Sequence, residues 1–295
     1  MENRSRILVL MAPSVLLLFF LFVVPLGIMA LFSFRASTFG PQRDVFTLEN
    51  YRIFLTSPAL ARLLWRSAGI AFVVSVFSVT LAYPVAYWLA FRAGPLRLTL
   101  LTVTIVPAWT SYLLRILAWK LILGSGGALN SFLLWAGWIE EALPILLYSS
   151  NAVMVTLIYV WIPWVALPIF AVLDGIDRNL LEAAADLGCP PWEAFLRVTL
   201  PLSLPGVIAG FFFAFIPTVG EYVTPLLVGG ARGIMYGNVI QDHFAHSLNW
   251  PLGSVMSLAM LVAVLVLLFV FTRIVRLQDL SGLCLLYTSP SPRDS

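Results

Sequence analysis

Six long apolar runs, each of 20 to 28 residues, constrain this chain more than any other feature. An α-helix rises about 1.5 Å per residue, so a run of about 20 residues crosses the roughly 30 Å hydrocarbon core of a bilayer. A transmembrane β-barrel needs alternating segments of about ten residues instead, and these runs are apolar on every face. The sequence therefore predicts an all-α, polytopic membrane protein with about six transmembrane helices. The predicted spans are 7–34, 67–91, 98–123, 152–173, 206–228 and 255–274.

The composition supports a membrane environment and excludes several other classes of protein. Hydrophobic residues make up 61% of the 295 residues and charged residues 11%, against about 25% charged in a soluble domain. Lipid is therefore an expected partner. The net charge of +3 comes from arginines scattered beside the apolar runs, and no dense basic block is present that could bind a nucleic acid. Two cysteines cannot build a disulfide framework or a Cys-rich metal site.

The two ends of the chain need separate interpretation. The first six residues resemble the basic start of a signal peptide, but the apolar run behind them continues to residue 34 without a small-residue cleavage site. We interpret it as a retained first span. Residues 278–295 are rich in Ser and Pro and show no periodicity, which indicates a non-native or disordered tail and leaves 1–277 as the transmembrane domain.

The loops between the spans indicate two sides. Residues 130–139 are too short to cross a bilayer, so we expect an interfacial or re-entrant helix there. Six spans place both termini on one side, together with the turn at 92–97 and the polar segment 174–204. That side carries eight arginines and the opposite side six. The positive-inside rule thus favours this side as the cytoplasmic one only weakly.

The polar segment 177–201 has the signals of two short helices joined by a turn. Asp177 or Asn179 can cap the first helix, and Gly188 can adopt the left-handed conformation that ends it. The prolines at 190 and 191 preset the start of the second helix. We expect this helix to run to residue 200, and Pro201 and Pro205 to end it before the chain re-enters the membrane.

The same segment resembles the EAA loop of binding-protein-dependent ABC importer permeases. The family pattern is Glu-Ala-Ala, three residues, Gly, nine residues, an aliphatic residue, one spacer and Leu-Pro. The matching residues are Glu182, Ala183, Ala184, Gly188, Val198, Leu200 and Pro201. The resemblance implies a type I permease fold in a bacterial inner membrane, with this loop docked on a cytoplasmic ATPase. Both termini would then be cytoplasmic, and Asp186, four residues after Glu182, would belong to the coupling face.

The alternative reading of this loop is an ordinary amphipathic helix lying at the interface. A match over about 20 residues between the fourth and fifth spans favours the permease. Residues 110–134 and 220–253 further resemble spermidine/putrescine permeases of the B type, which implies a polyamine substrate. Related permeases for opines, aminoethylphosphonate, iron or sulfate share much of the pattern, so these solutes remain alternatives.

The source of energy follows from a missing motif. A phosphate-binding loop ends in Gly-Lys followed by Ser or Thr, but Lys120 is the only lysine and lies between Trp119 and Leu121. ATP must therefore be bound by other subunits, and the chain needs no cofactor of its own. The resemblance implies two ATP-binding cassette subunits, a second homologous permease and an extracytoplasmic solute-binding protein. A stand-alone secondary carrier, driven by an ion gradient, is the rival from another class.

An enzyme is not expected, because the sequence contains neither a G-x-S-x-G elbow nor an H-E-x-x-H motif. His243 and His246 are three residues apart, but no third ligand accompanies them, so no metal site is predicted. The acidic pair Glu140 and Glu141 fits either a solvated loop or a surface that receives a binding protein.

Charged and aromatic residues inside the spans are the candidates for a translocation path. Glu221 is an ionisable residue late in the fifth span, where a carboxylate suits a cationic substrate. Aromatic faces attract cations, and Trp161 and Trp164 could offer such faces as well. The candidates are Glu221, Tyr222, Trp109, Tyr112 and Arg115. Each has an interfacial alternative: a solvated carboxylate, an aromatic belt or, for Arg115, an anchor at the membrane surface.

Overall fold

A computed structural model of the protein describes residues 2–141, 143 and 147–274, without the side chains of residues 2–10 and 274. The tail predicted at 278–295 lies outside these residues. Within them the regular secondary structure is helical apart from one isolated bridge, between Arg35 and Phe46, and loops connect the helices. The α-helices are α1 Glu2–Ser33, α2 Glu49–Thr56, α3 Pro58–Phe91, α4 Arg97–Ile105, α5 Tyr112–Leu123, α6 Ala128–Trp135, α7 Ser150–Asp174, α8 Arg178–Asp186, α9 Pro191–Ala194, α10 Leu200–Val219, α11 Tyr236–Ala245 and α12 Trp250–Ile274.

Six helical stretches of the described chain are long and apolar enough to cross a membrane, which confirms the predicted fold class. Leucine, phenylalanine and valine side chains remain widely exposed on their surfaces, as lipid-facing helices require. The stretches are Met11–Ser33, Pro58–Phe91, Tyr112–Trp135, Ser150–Asp174, Pro191–Val219 and Trp250–Arg273.

The third span differs from the prediction of one helix over 98–123. The chain breaks after α4 into the 3₁₀ turn Val106–Trp109, and the extended residue Thr110 (ψ 158°) precedes α5. Pro107 lies in this turn and has no N–H to donate to a continuing helix. The spanning stretch therefore begins at Tyr112 and includes α6, the short helix that was expected at 130–139. Hydropathy could not locate this break, because apolar residues predominate on both sides of it.

The fifth span also differs from its prediction. Helical structure begins at Pro191, passes through the π-helical turn Phe195–Thr199 and continues along α10. The expectation that Pro201 and Pro205 end the helix is therefore wrong. The π turn shifts the backbone hydrogen bonds by one residue immediately before Pro201, so the helix continues past a residue that has no N–H. The helix ends at Val219 rather than 228, and a second π turn, Pro225–Gly229, follows.

Two compact units can be described, the first formed by the described parts of Met1–Leu64 and Val239–Leu265. Its polar centre is Thr38, which is 6% exposed. The Thr38 hydroxyl donates to the carbonyl of Leu248 (2.6 Å) and accepts from the N–H of Trp250 (2.9 Å). The Trp250 ring packs against Phe32 and Phe39, with centroids 5.6 and 6.1 Å away. These contacts join the end of α1 to the start of α12.

The second unit comprises the described parts of Trp65–Asn238 and Val266–Ser295, and the packing of α7 against α10 is its centre. A Cβ at Gly206 would lie 2.8 Å from the carbonyl oxygen of Pro168, and one at Gly210 would lie 3.1 Å from Val165. The two glycines are four residues apart, the spacing that allows helix backbones to approach closely in membranes. The α7–α10 pair is therefore tightly packed.

The connection around α6 is fixed by one buried amide. Asn130 is fully buried; its Nδ2 donates to the carbonyl of Gly124 (2.9 Å) and its Oδ1 accepts from the N–H of Leu143 (2.9 Å). α6 ends in a glycine cap, because Gly137 has a φ of 69°. Its N–H donates to Leu134 and the N–H of Trp138 donates to Leu133, the two bonds of a Schellman motif.

Candidate functional site

The polar segment 177–201, called the elbow here, begins with a capped helix. Asp177 is the N-cap of α8, and its Oδ1 accepts from the N–H of Asn179 (2.9 Å). A side-chain acceptor at this position satisfies one of the N–H groups that the first helical turn leaves free. Asp177 and Asn179 were the two predicted caps, and Asp177 is the residue that caps α8.

The turn of the elbow has the predicted left-handed glycine. Gly188 has a φ of 78°, its N–H donates to the carbonyl of Ala185 (2.9 Å), and the N–H of Cys189 donates to that of Ala184 (3.0 Å). These two bonds form a Schellman motif. The second helix then starts at Pro191, as predicted. The elbow thus has a defined backbone at its tip rather than a loose loop.

The outer surface of the elbow is open. Glu182, Ala183, Asp186, Gly188 and Pro201 are exposed, whereas Ala184 and Leu200 are half-buried. Two large apolar residues that the sequence analysis did not select are also exposed at the tip, Leu187 at 88% and Trp192 at 66%. Exposed apolar groups surrounded by polar residues are typical of a surface that binds another protein. The sequence signal that could have identified Leu187 and Trp192 is their position shortly after the Glu-Ala-Ala residues.

The base of the elbow is tied to neighbouring helices. Asp174, at the end of α7, forms a 2.6 Å ion pair with Arg97 at the start of α4. The Arg178 guanidinium lies 3.4 Å from the carbonyl of Ala90, near the end of α3. Both arginines therefore connect the segment that carries the elbow to helices that are distant in sequence.

A second polar cluster surrounds Glu221, immediately after α10. Glu221 Oε1 accepts from the N–H groups of Val223 (2.8 Å) and Thr224 (3.1 Å). The Tyr112 hydroxyl, at the start of α5, lies 2.8 Å from Glu221 Oε2 and 2.8 Å from Thr224 Oγ1. The carboxylate is half-buried and caps the backbone that leads into the second π turn. Sequence reasoning proposed Glu221 and Tyr112 separately, and the structure brings them together.

The other path candidates are placed differently. The Arg115 guanidinium lies 5.9 Å from the centre of the Tyr112 ring, and among the described residues its buried Nε has no hydrogen-bond partner. The Tyr222 side chain is 43% exposed beside Glu221, and its carbonyl accepts from Asn238 (2.8 Å). Trp109 lies in the 3₁₀ turn before α5, is 77% exposed and makes none of these contacts.

The remaining aromatic and histidine candidates do not join this cluster. Trp161 and Trp164 of α7 pack against Phe213 of α10, both with centroids 6.3 Å apart. His246 pairs with Asp242 at 3.5 Å and His243 contacts the Ser247 hydroxyl at 3.1 Å. In the part of the chain that the structure describes, no group of three potential metal ligands occurs.

Comparison with known proteins decides the family. Residues 4–281 match the family of binding-protein-dependent transport system inner membrane components. The chain belongs to this family. It is therefore an ABC importer permease and a multi-pass membrane protein, and its relatives are transport subunits.

Two similar permeases are both named for polyamine transport. This permease is 36% identical over 235 residues to the spermidine/putrescine transport system permease protein PotB of Escherichia coli (strain K12), which covers 80% of this chain and 85% of that protein. It is 36% identical over 227 residues to PotB of Haemophilus influenzae, covering 77% of this chain and 79% of that protein.

A solved structure shows the same fold. A chain of a bacterial alginate ABC transporter, crystallised in complex with an alginate pentasaccharide-bound periplasmic protein, superposes on this permease with a TM-score of 0.68. The two are 14% identical, and the match covers 90% of this chain and 93% of that one. The likeness confirms the predicted importer permease fold.

Proposed function

We propose that this permease forms part of a path for a polyamine such as spermidine or putrescine, which a solute-binding protein delivers and separate ATPase subunits drive. The observation that carries the proposal is the 36% identity to PotB over four fifths of this chain. Two ATP-binding cassette subunits and a second homologous permease complete the transporter. The permease itself binds no ATP.

The exposed tip of the elbow, residues 182–192, is the proposed docking surface for the ATPase. The helix α8 in this tip is short and capped at both ends, so α8 itself can transmit a push without bending. Leu187 and Trp192 supply apolar area for a groove on the partner, and Glu182 and Asp186 supply charge. This assignment places the elbow and both termini in the cytoplasm.

The Glu221 cluster is the proposed contact with the cationic substrate. A carboxylate offers about four lone-pair directions. Among the described residues three donors occupy Glu221, and of these only Tyr112 uses Oε2. One direction on Oε2 therefore stays available for an ammonium group. The rings of Tyr112 and Tyr222 add aromatic faces beside it, and the exposed Trp109 precedes them along the chain. The Arg115 guanidinium lies over the Tyr112 ring, and its positive charge repels ammonium groups, which limits how many can bind there.

Uptake of labelled spermidine by the assembled transporter tests the substrate and the site together. Glu221→Gln keeps an oxygen for the two backbone N–H groups but removes the charge, so we expect the KM for spermidine to rise about tenfold or more, since hydrogen bonds to charged groups contribute about 1.5–3 kcal/mol. Glu140→Gln, at an exposed carboxylate outside the cluster, is the matched control and should leave the KM unchanged. An unchanged KM for Glu221→Gln would remove Glu221 from the path.

The choice of solute is tested by competition. An excess of unlabelled putrescine should inhibit spermidine uptake, whereas aminoethylphosphonate and sulfate should not. Inhibition by one of these anions, without inhibition by putrescine, would contradict the polyamine assignment and leave the importer assignment intact.

A further inference from the structure

The π turn Phe195–Thr199, at the C-terminal end of the elbow, is held by aromatic side chains from another helix. The Phe195 ring, first residue of the π turn, makes edge-to-face contacts with two tyrosines of α3. Its centroid lies 5.8 Å from the Tyr83 ring, with an interplanar angle of 84°, and 5.7 Å from the Tyr87 ring, with an angle of 81°. Edge-to-face pairs are directional, so they fix the orientation of Phe195 as well as its position.

A hydrogen bond fixes the same contact on the other side of the turn. The Tyr83 hydroxyl lies 2.8 Å from the hydroxyl of Ser203, which is buried in α10. Ser203 also donates to the carbonyl of Leu200 (2.9 Å). One α3 side chain therefore contacts residues both before and after Pro201. The four residues Tyr83, Tyr87, Phe195 and Ser203 are called the aromatic joint.

The joint lies at a turn that can bend. A π turn followed by a proline lacks the regular ladder of helical hydrogen bonds, and such turns are common sites of bending. Beyond this turn, α10 is closely packed on α7 at Gly206 and Gly210. A push on the elbow would therefore bend the π turn and be lost, unless another element stiffens it.

We propose that Tyr83 and Tyr87 are positioning residues for ATP coupling. The aromatic joint stiffens the π turn and makes α3 move together with the C-terminal end of the elbow. The inference rests on the proposed function of the elbow. The four residues of the joint lie outside both the Glu221 cluster and the proposed docking surface at 182–192. They determine how much of the ATPase movement reaches the membrane-spanning helices.

The ratio of spermidine transported to ATP hydrolysed, measured on the complete transporter in liposomes, tests the joint. Phe195→Leu keeps apolar volume but removes both edge-to-face contacts, so the ratio should fall about tenfold while co-purification with the ATPase and basal ATP hydrolysis stay within about twofold. Phe213→Leu is the matched control on α10, because Phe213 packs against α7 instead. Its ratio should stay within about twofold of the unchanged transporter.

Conservative variants test the hydrogen bond independently of any folding defect. Tyr83→Phe and Ser203→Ala should each lower the ratio about threefold, because both remove the bond between the two hydroxyls. Ser203→Ala also removes the local bond to Leu200, so the double variant should lower the ratio no further than Ser203→Ala alone. An unchanged ratio in Phe195→Leu, an equal loss in Phe213→Leu, or no loss in the two conservative variants would overturn the joint. If the unchanged transporter shows no ATP-dependent uptake, the proposed function fails instead.

Discussion

Gly188 gives the sharpest test of the elbow, because its backbone conformation is unusual and its surroundings are empty. Its φ is 78°, and a Cβ placed there would meet no atom within 4 Å. Gly188→Ala therefore adds no clash, and its cost is the left-handed conformation itself, about 1–2 kcal/mol for a residue with a Cβ. If that cost falls on the docking geometry, ATPase affinity and uptake should decrease about tenfold, since about 1.4 kcal/mol corresponds to a factor of ten.

Gly188→Pro should abolish uptake while membrane insertion continues. Proline fixes φ near −65° and removes the N–H that donates to Ala185, so both bonds of the cap are lost. Gly137→Ala is the matched control for Gly188→Ala. Gly137 has the same Schellman motif, a φ of 69° and equally open space in a different connection. Co-purification with the ATPase and spermidine uptake should stay near normal in that variant. Normal uptake with Gly188→Pro, or equal losses at both glycines, would refute the reasoning.

Three further predictions concern stability, measured by thermal unfolding in detergent. Gly206→Ala places a methyl group against α7 and should destabilise the protein by about 1–3 kcal/mol. Gly69→Ala, with open space around its Cβ, should not destabilise it. Equal unfolding midpoints for the two variants would contradict the close packing. Asn130→Leu leaves two half-buried backbone groups, the carbonyl of Gly124 and the N–H of Leu143, unsatisfied and should cost about 2–4 kcal/mol. An unchanged midpoint would show that the amide is dispensable. Burial lowers the pKa of His243 against an opposing effect of Asp242, so stability should fall as the pH drops through the unfolded-state value of about 6.5 and level off below the folded pKa. His243→Gln should flatten that dependence. An identical pH profile in the variant would show that His243 does not cause it.

The sequence predicted the number of spans because apolar length is a direct consequence of bilayer thickness. It also predicted the glycine and proline signals of the elbow, which depend on neighbouring residues only. The breaks were missed at Pro107 and after Val219, because apolar residues resume beyond each break and keep the apolar run long. The wrongly predicted stop at Pro201 has a related cause, since a π turn compensates for a proline in a way that composition does not show.

The contacts within the candidate sites were beyond sequence reasoning for a different reason. Glu221 and Tyr112 are 109 residues apart in the chain, and Tyr83 and Ser203 are 120 residues apart. Pairing at such separations depends on how the helices pack, and a single sequence carries no record of that packing. Sequence reasoning selected Glu221 for its charge, whereas the structure shows in addition that its carboxylate caps a backbone break.

Reconstitution with and without the ATPase tests the central claim most directly, namely that a separate ATPase drives this permease through the elbow. Liposomes that contain the permeases, the ATPase subunits and the solute-binding protein should accumulate labelled spermidine only when ATP is present on the ATPase side. Accumulation by the permease alone, driven by an ion gradient and without any nucleotide, would contradict the account.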